Sequence, residues 1–167
     1  MIRITRQTDY GIVLLTHMAA HGERLYNAPD LGGEVHLPLP MVSKILKLLT
    51  REGLLESHRG TKGGYSLARS PEEISMAEIV AALEGPVAIV ECIDESSGCT
   101  YQPTCRVRTN WQRINDALRS ALAGISLAEM THPSDRLVTL GGRPASLPLS
   151  PSPSQADLQA IPQGPQI

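Results

Sequence analysis

The sequence predicts a mostly α-helical fold with one small β-hairpin and a long last helix. Three observations carry this. Apolar residues recur at helical spacing in several segments between Thr8 and Ala123. Two short runs rich in Leu and Tyr flank the turn Arg59-Gly60-Thr61-Lys62-Gly63-Gly64. Val107, Trp111, Ile114, Leu118, Ala121 and Ile125 follow one another at spacings of 4, 3, 4, 3 and 4.

The elements follow in chain order. A first helix over Thr8 to Ala20 is apolar over a wide face, with Tyr10, Val13, Leu14, His17 and Met18 at helical spacing. Gly22 stops it. A short second helix covers Ala28 to Val35, weakened by Gly32-Gly33. A third runs from near Pro40 to Gly53. Val42, Ile45, Leu46 and Leu49 make its inner face, while Ser43, Lys44, Lys47 and Arg51 point outward. Residues 54–58 and 65–68 are the hairpin strands. A fourth helix, Met76 to Glu84, opens at a capping box of Ser75 and Glu78 and ends at Gly85-Pro86. A loop with all three cysteines follows, and a fifth helix covers Arg106 to Ala123. From Pro133 onward seven of the thirteen prolines accumulate and no helical or strand period survives, which predicts a disordered tail over 133–167.

Composition narrows the class. A chain of 167 residues with 41% apolar and 19% charged residues supports one core of ordinary size. Aromatics are only 3% and Phe is absent, so that core is aliphatic. No run of about eighteen apolar residues offers a membrane span. The start, Met1 to Arg6, has no apolar signal region, so the expected location is cytoplasmic, where thiols stay reduced. The net charge of −2 hides an uneven distribution. Residues 1–70 hold nine Lys/Arg against six Asp/Glu, whereas residues 71–132 hold four against nine. A basic first half on an acidic remainder points weakly to nucleic acid.

Helix, short helix, amphipathic helix and glycine-turned hairpin is the winged helix-turn-helix order. The third helix then offers a small, basic face able to enter the major groove, where base edges are distinguishable. Candidate DNA contacts are Ser43, Lys44, Lys47 and Arg51 on this helix, with Arg59 and Lys62 in the hairpin turn. Taken alone, such a helix face is an ordinary solvated surface; its combination with the wing favours double-stranded DNA. The stripe from Val107 to Ile125 fits packing within one chain or, with few elements left to cover it, a homodimer.

The cysteines are Cys92, Cys99 and Cys105. A structural zinc site usually shows a closer cysteine pair than any of these. Three thiolates on one loop are able to wrap an iron–sulfur cluster, which takes four ligands, although the bare pattern by itself favours unligated thiols. No Ser/His/Asp set, P-loop or HExxH pattern is present, so an enzyme with a small-molecule substrate is not expected.

Thr8-Asp9-Tyr10-Gly11, Val42-Ser43-Lys44-Ile45-Leu46-Lys47, the stretch from Arg59 to Arg69, and Ile79 to Pro86 with the following cysteine loop resemble the Rrf-two-type bacterial transcriptional regulators, the group containing IscR and NsrR. The likeness covers about residues 1–132. Segments 84–89, 110–115 and 125–130 are similar to the branch that regulates SUF-system iron–sulfur assembly. The resemblance implies a homodimeric winged-helix regulator carrying a [2Fe–2S] or [4Fe–4S] cluster on Cys92, Cys99 and Cys105. Some relatives place a histidine three residues after the last cysteine. Here that position is Arg108, which cannot ligate. Others use a carboxylate from the partner's first helix, and Asp9 holds the matching place, so Asp9 is the candidate fourth ligand, with His17 a lesser one. An acid in a first helical turn is also common without any ligand.

The chain thus divides into a DNA-binding unit at 1–84, a cysteine loop at 85–105, a dimerisation helix at 106–132 and the tail. The expected function is cluster-sensing regulation, chiefly repression of SUF genes from an operator. Its competitors are a cluster-free thiol sensor of redox or nitrosative stress that also binds DNA, and an iron–sulfur carrier with no DNA role.

Overall fold

The computed structural model describes residues 3–22, 24–60, 63–90, 93 and 105–132. Helices α1 (Arg6–Ala20), α2 (Ala28–Glu34) and α3 (Leu39–Arg51) come first. Strands β1 (Leu55–His58) and β2 (Gly64–Leu67) form the hairpin. A 3₁₀ turn at Pro71–Glu73 leads into α4 (Met76–Glu84). Then come α5 (Arg108–Ala123) and α6 (Leu127–Met130). The expected mostly helical fold with one antiparallel hairpin is therefore observed. The tail beyond residue 132 lies outside the described residues.

Helix α1 begins earlier than its apolar period because Thr5 caps it, its Oγ1 accepting from the Thr8 amide. Leu14, Leu15 and Met18 face the core. Val13, placed on the apolar face by spacing, is 42% exposed; Leu15 takes the inward position instead. The four inner residues of α3, Val42, Ile45, Leu46 and Leu49, are all fully buried. Their removal from water is worth ~1.5–3 kcal/mol each. The Ser75–Glu78 capping box on α4 forms as expected.

Helices α1 and α4 approach closely at Gly11. A Cβ there would lie 2.5 Å from Cδ1 of Leu83. The same contact is sealed by Glu84, whose Oε1 accepts from the Thr8 hydroxyl at 2.6 Å and the Thr5 amide at 2.8 Å. These two hydrogen bonds, the Thr8 hydroxyl's first, hold the Glu84 carboxyl below the usual glutamate range.

The hairpin pairs Leu55 with Leu67 through to His58 with Gly64. Tyr26 adds a one-residue bridge to β2, exchanging backbone hydrogen bonds of 2.9 and 2.8 Å with Tyr65. This short bridge has no periodicity of its own, so nothing in the sequence pattern marks it.

The largest departure lies at the other end of the fold. Ile125 belongs to the 4-3-4-3-4 stripe, yet it falls past the end of α5 and packs against the core. Residues 125–127 run back along the start of α4: the Met76 amide donates to Ile125 and the Leu127 amide to Ile74, both at 2.8 Å. Leu127 is fully buried and opens α6, which packs on α1 and the 3₁₀ turn. Residues 125–130 are thus part of the core built by residues 1–84. The Ser126–Glu129 capping box that starts α6 is a sequence signal for it.

Candidate functional site

Two groups of residues stand out on this frame: a cationic face on α3 and the wing, and the cysteine-bearing stretch before α5.

Burial of Val42, Ile45, Leu46 and Leu49 fixes the rotation of α3, so Lys44, Lys47 and Arg51 are exposed on the opposite side and Ser43 is half-buried between them. Neither Lys44 nor Lys47 has an ion-pair partner among the described residues. Arg51 does: its Nε lies 2.9 Å from Oε1 of the adjacent Glu52. Both are well exposed, so the pair holds Arg51 only weakly. Pro38 opens α3 without a side-chain cap, Pro40 has no amide hydrogen, and the Met41 and Val42 amides donate to the Pro38 carbonyl at 3.0 and 3.1 Å.

In the wing, Arg59 is exposed and also unpaired among the described residues. The turn is tight. The Gly63 amide donates to Gly60 at 2.9 Å, and a Cβ on Gly63 would meet the His58 carbonyl oxygen at 2.3 Å. Only glycine fits that turn. Lys62 lies outside the described residues.

Cys105 is a free, half-buried thiol. Its carbonyl accepts from the Arg108 amide at 3.4 Å, which joins it to the first residue of α5. Cys92 and Cys99 lie outside the described residues. Among the described residues no group of three His, Cys, Asp or Glu side chains is arranged to hold a metal ion. Asp9 is exposed in the first turn of α1, and its carboxylate has no partner among the described residues. Helix α1 packs on α3, α4 and α6, whereas α5 packs on α4. His17 is otherwise engaged: its Nε2 lies 2.6 Å from Oε2 of Glu34, and its ring stacks on His21 at 4.2 Å between centroids. Glu34 also binds Arg24, which sits 4.3 Å over the Tyr26 ring. The His17 hydrogen bond, then Arg24, lowers the Glu34 pKa. His17 therefore serves the α1–α2 contact.

Helix α5 is divided lengthwise. Val107 just before it, and Trp111 and Ile114 within it, are 51%, 38% and 50% exposed. Leu118 and Ala121 are half-buried. Among its residues only Asn115 is fully enclosed, at 2% exposure. Asn115 lies off the apolar stripe, on the side seven residues from Leu122, which packs on the core. That spacing is the one sequence signal that places it inward.

A winged helix with a free cationic recognition face defines a DNA-binding transcriptional regulator rather than an enzyme. The family model described as "Rrf2: Iron-dependent Transcriptional regulator" matches residues 4–133, and the chain belongs to that family. Protein aau3 of Rhizobium meliloti (strain 1021) is 30% identical over 130 residues, covering 77% of this chain and 84% of its own length. The fold matches CymR (YrzC), the global cysteine regulator of B. subtilis, with a TM-score of 0.62 and 26% identity, covering 81% of this chain and 100% of that one. It also matches T. potens IscR, with a TM-score of 0.59 and 25% identity, covering 77% of this chain and 85% of that one. Among the described residues no helix is long and apolar enough to cross a membrane.

Proposed function

We propose that this chain is a cytoplasmic, homodimeric regulator that senses an iron–sulfur cluster and represses SUF-type cluster-assembly genes from operator DNA. The observation that carries the reading is the attachment of Cys105 to the first turn of α5, next to the exposed apolar residues Val107, Trp111 and Ile114. A ligating thiol at that point ties loop chemistry to the face where a second copy would pack.

In the DNA complex, α3 lies in the major groove. Ser43 approaches the bases closely, while Lys44, Lys47 and Arg51 meet phosphates or base edges. Arg59 and Lys62 of the wing reach the adjoining minor groove. The donor set suits the cofactor chemically: thiolates are soft ligands preferred by iron–sulfur centres, and Cys105 is a free, half-buried thiol. Cys92, Cys99 and Cys105 would hold the cluster, with the exposed Asp9 of the partner's α1 as fourth ligand. When bound, [2Fe–2S] or [4Fe–4S], it supplies a crosslink that responds to iron supply and oxidants. The SUF assignment rests on the sequence resemblance of segments 84–89, 110–115 and 125–130.

The test is anaerobic purification with iron and sulfide counts, a visible spectrum and DNA binding in loaded and unloaded states. Cys92→Ser, Cys99→Ser and Cys105→Ser should each abolish or badly destabilise the cluster. A colourless protein with fully reactive thiols and intact DNA binding overturns the cluster in favour of a thiol sensor. Coloured protein that binds no DNA overturns the regulator reading in favour of a carrier.

A further inference from the structure

Tyr26 is the largest enclosed side chain among the described residues, and it stands where the wing meets the rest of the fold. Its backbone bonds to Tyr65, the second residue of β2, near the turn end of the hairpin. A Cβ on the neighbouring Gly64 would lie 2.7 Å from the Tyr26 carbonyl oxygen, so the two backbones touch there. Across the hairpin Tyr65 pairs with Ser57, and Arg59 follows two residues later, about 7 Å of extended chain. The place of Tyr26 therefore sets the place of Arg59. Three side chains fix Tyr26. The Arg24 guanidinium carbon sits 4.3 Å over the face of its ring. The His17 ring stands at 72° to it, 5.9 Å between centroids. Glu34, the last residue of α2, holds both: Nη2 of Arg24 donates to its two carboxylate oxygens, and His17 Nε2 lies 2.6 Å from Oε2. Unlike Lys44, Lys47 and Arg59, Arg24 is thus a cation already committed to a carboxylate.

We propose that Arg24, locked by Glu34, is a positioning residue for DNA binding: it holds Tyr26, and through Tyr26 the wing, so that Arg59 reaches the duplex. Arg24 does not itself touch DNA. The inference rests on the wing contact proposed above for Arg59. A phosphate-contacting Arg24 and a wing-holding Arg24 demand opposite things of Glu34. As a phosphate contact, Arg24 would be contested by Glu34, and removing Glu34 would strengthen binding by freeing a cation and deleting a charge that the duplex repels. As the holder of the wing, Arg24 needs Glu34, and removing Glu34 loosens the clamp and weakens binding.

The test measures affinity of the full chain, by fluorescence anisotropy, for a duplex selected from a random pool. Glu34→Ala should weaken binding by about threefold, the scale of an exposed ion pair, although it makes the chain less acidic. Arg24→Lys keeps the charge but loses the planar fork, and should weaken binding to a similar extent. Arg59→Ala should weaken it by about tenfold, within the usual cost of one lost contact. Adding Glu34→Ala or Arg24→Lys to Arg59→Ala should then cost nothing further, because residues that act through one contact are not additive. The Arg24 and Glu34 side chains are 49% and 36% exposed, outside the core, so thermal midpoints should stay at the parental value. Amide hydrogen exchange of the DNA-free protein reads the wing directly: the Tyr26 and Tyr65 amides should exchange severalfold faster in both variants, with α3 unchanged. Tighter binding by Glu34→Ala overturns the positioning role. So does a further loss when Arg24→Lys is added to Arg59→Ala, and so does parental exchange at Tyr26 and Tyr65. Parental affinity in Arg59→Ala overturns the wing contact, and faster exchange at Tyr65 then keeps Arg24 as the residue that places the hairpin.

Discussion

Ile114→Asp should dissociate the proposed dimer while sparing the fold. Ile114 is 50% exposed, so half of its side chain already lies in water and the subunit core does not depend on it. Fully burying an isoleucine is worth ~1.5–3 kcal/mol, so covering the exposed half adds ~1 kcal/mol per protomer. In a two-fold symmetric contact the same patch is used twice. Loss of the apolar contribution alone, as in Ile114→Ser, then costs ~2 kcal/mol and weakens association roughly thirtyfold. Aspartate adds a carboxylate on each side that must be covered or kept protonated, at a further cost of several kcal/mol in total. The dimer dissociation constant should therefore rise by roughly a thousandfold or more. Sedimentation velocity over a concentration series measures it, and thermal unfolding checks that the subunit is intact. A dimer of Ile114→Asp with the parent's dissociation constant would refute the assignment of this face, and so would a monomeric parent.

Lys44→Ala, Lys47→Ala and Arg59→Ala should each weaken DNA binding, and each lost phosphate contact should lower the salt slope by about one unit in fluorescence titrations; three parent-like affinities at moderate salt would remove the reading-head assignment. Gly11→Ala places a methyl group 2.5 Å from Leu83 Cδ1. Overpacking of ~1–3 kcal/mol, less the ~1 kcal/mol gained in helix propensity, leaves a net loss of up to ~2 kcal/mol, and the melting temperature should fall by up to roughly 6 °C. A variant as stable as the parent would show that α1 and α4 do not depend on this approach. Glu84 and Glu78 both titrate below the ordinary glutamate range, Glu84 through the Thr8 hydroxyl and Glu78 through the Ser75 amide first. Their folded pKa values are depressed, so their stabilisation is full above the unfolded value and is lost as pH falls through the folded ones. Denaturant midpoints should be level near neutral pH and decline below about pH 4.5, with a shallower decline in Glu84→Gln. An unchanged acid limb in that variant would show that the Glu84 cap does not contribute.

Much of the fold was legible because its signals are local. Four aliphatic residues at helical spacing on α3 fix which side of the helix faces water, and so fix where Lys44 and Lys47 point. Serine followed three residues later by glutamate marks the start of α4, and a glycine cluster marks the hairpin. The unread parts depend on contacts distant in sequence. Tyr26 joins the hairpin through Tyr65 only after α1 and α2 have brought the segments together. Ile125 continues a helical stripe by spacing, yet the chain leaves the helix because the Met76 amide and the enclosed site for Leu127 hold residues 125–127 along α4. His17 was visible as a residue on a packed helix, but its partner Glu34 comes from another element. Asn115 shows the limit most sharply. An asparagine one place from a hydrophobic stripe is marked only by its seven-residue spacing from Leu122, and its partners are the backbone of residues 87–89, distant in sequence.

The return of residues 125–130 changes what α5 is able to do. A helix that left the core and ended in a free tail would be a tether, and a partner packed on it would not constrain the reading heads. Here α5 is held at both ends. At its C-terminal end, Ile125 and Leu127 bond to the backbone at the start of α4, and Leu127 is enclosed with Ile74 and Ile79 in the core. In its N-terminal half, Asn115 bonds to the backbone of Val87 and Ile89, and the Arg108 amide donates to the Cys105 carbonyl. Helix α4 carries Leu83 and Glu84, which fix α1, and α1 packs on α3. Contacts and backbone hydrogen bonds therefore connect residues 87–89 and Cys105 through α5 and α4 to the helix that bears Lys44 and Lys47. A shift of residues 87–89 passes along these contacts, because close-packed interiors move as units rather than deform. In a dimer joined through α5, such a displacement re-aims both α3 helices relative to one another, and the spacing of the two half-sites decides which arrangement binds.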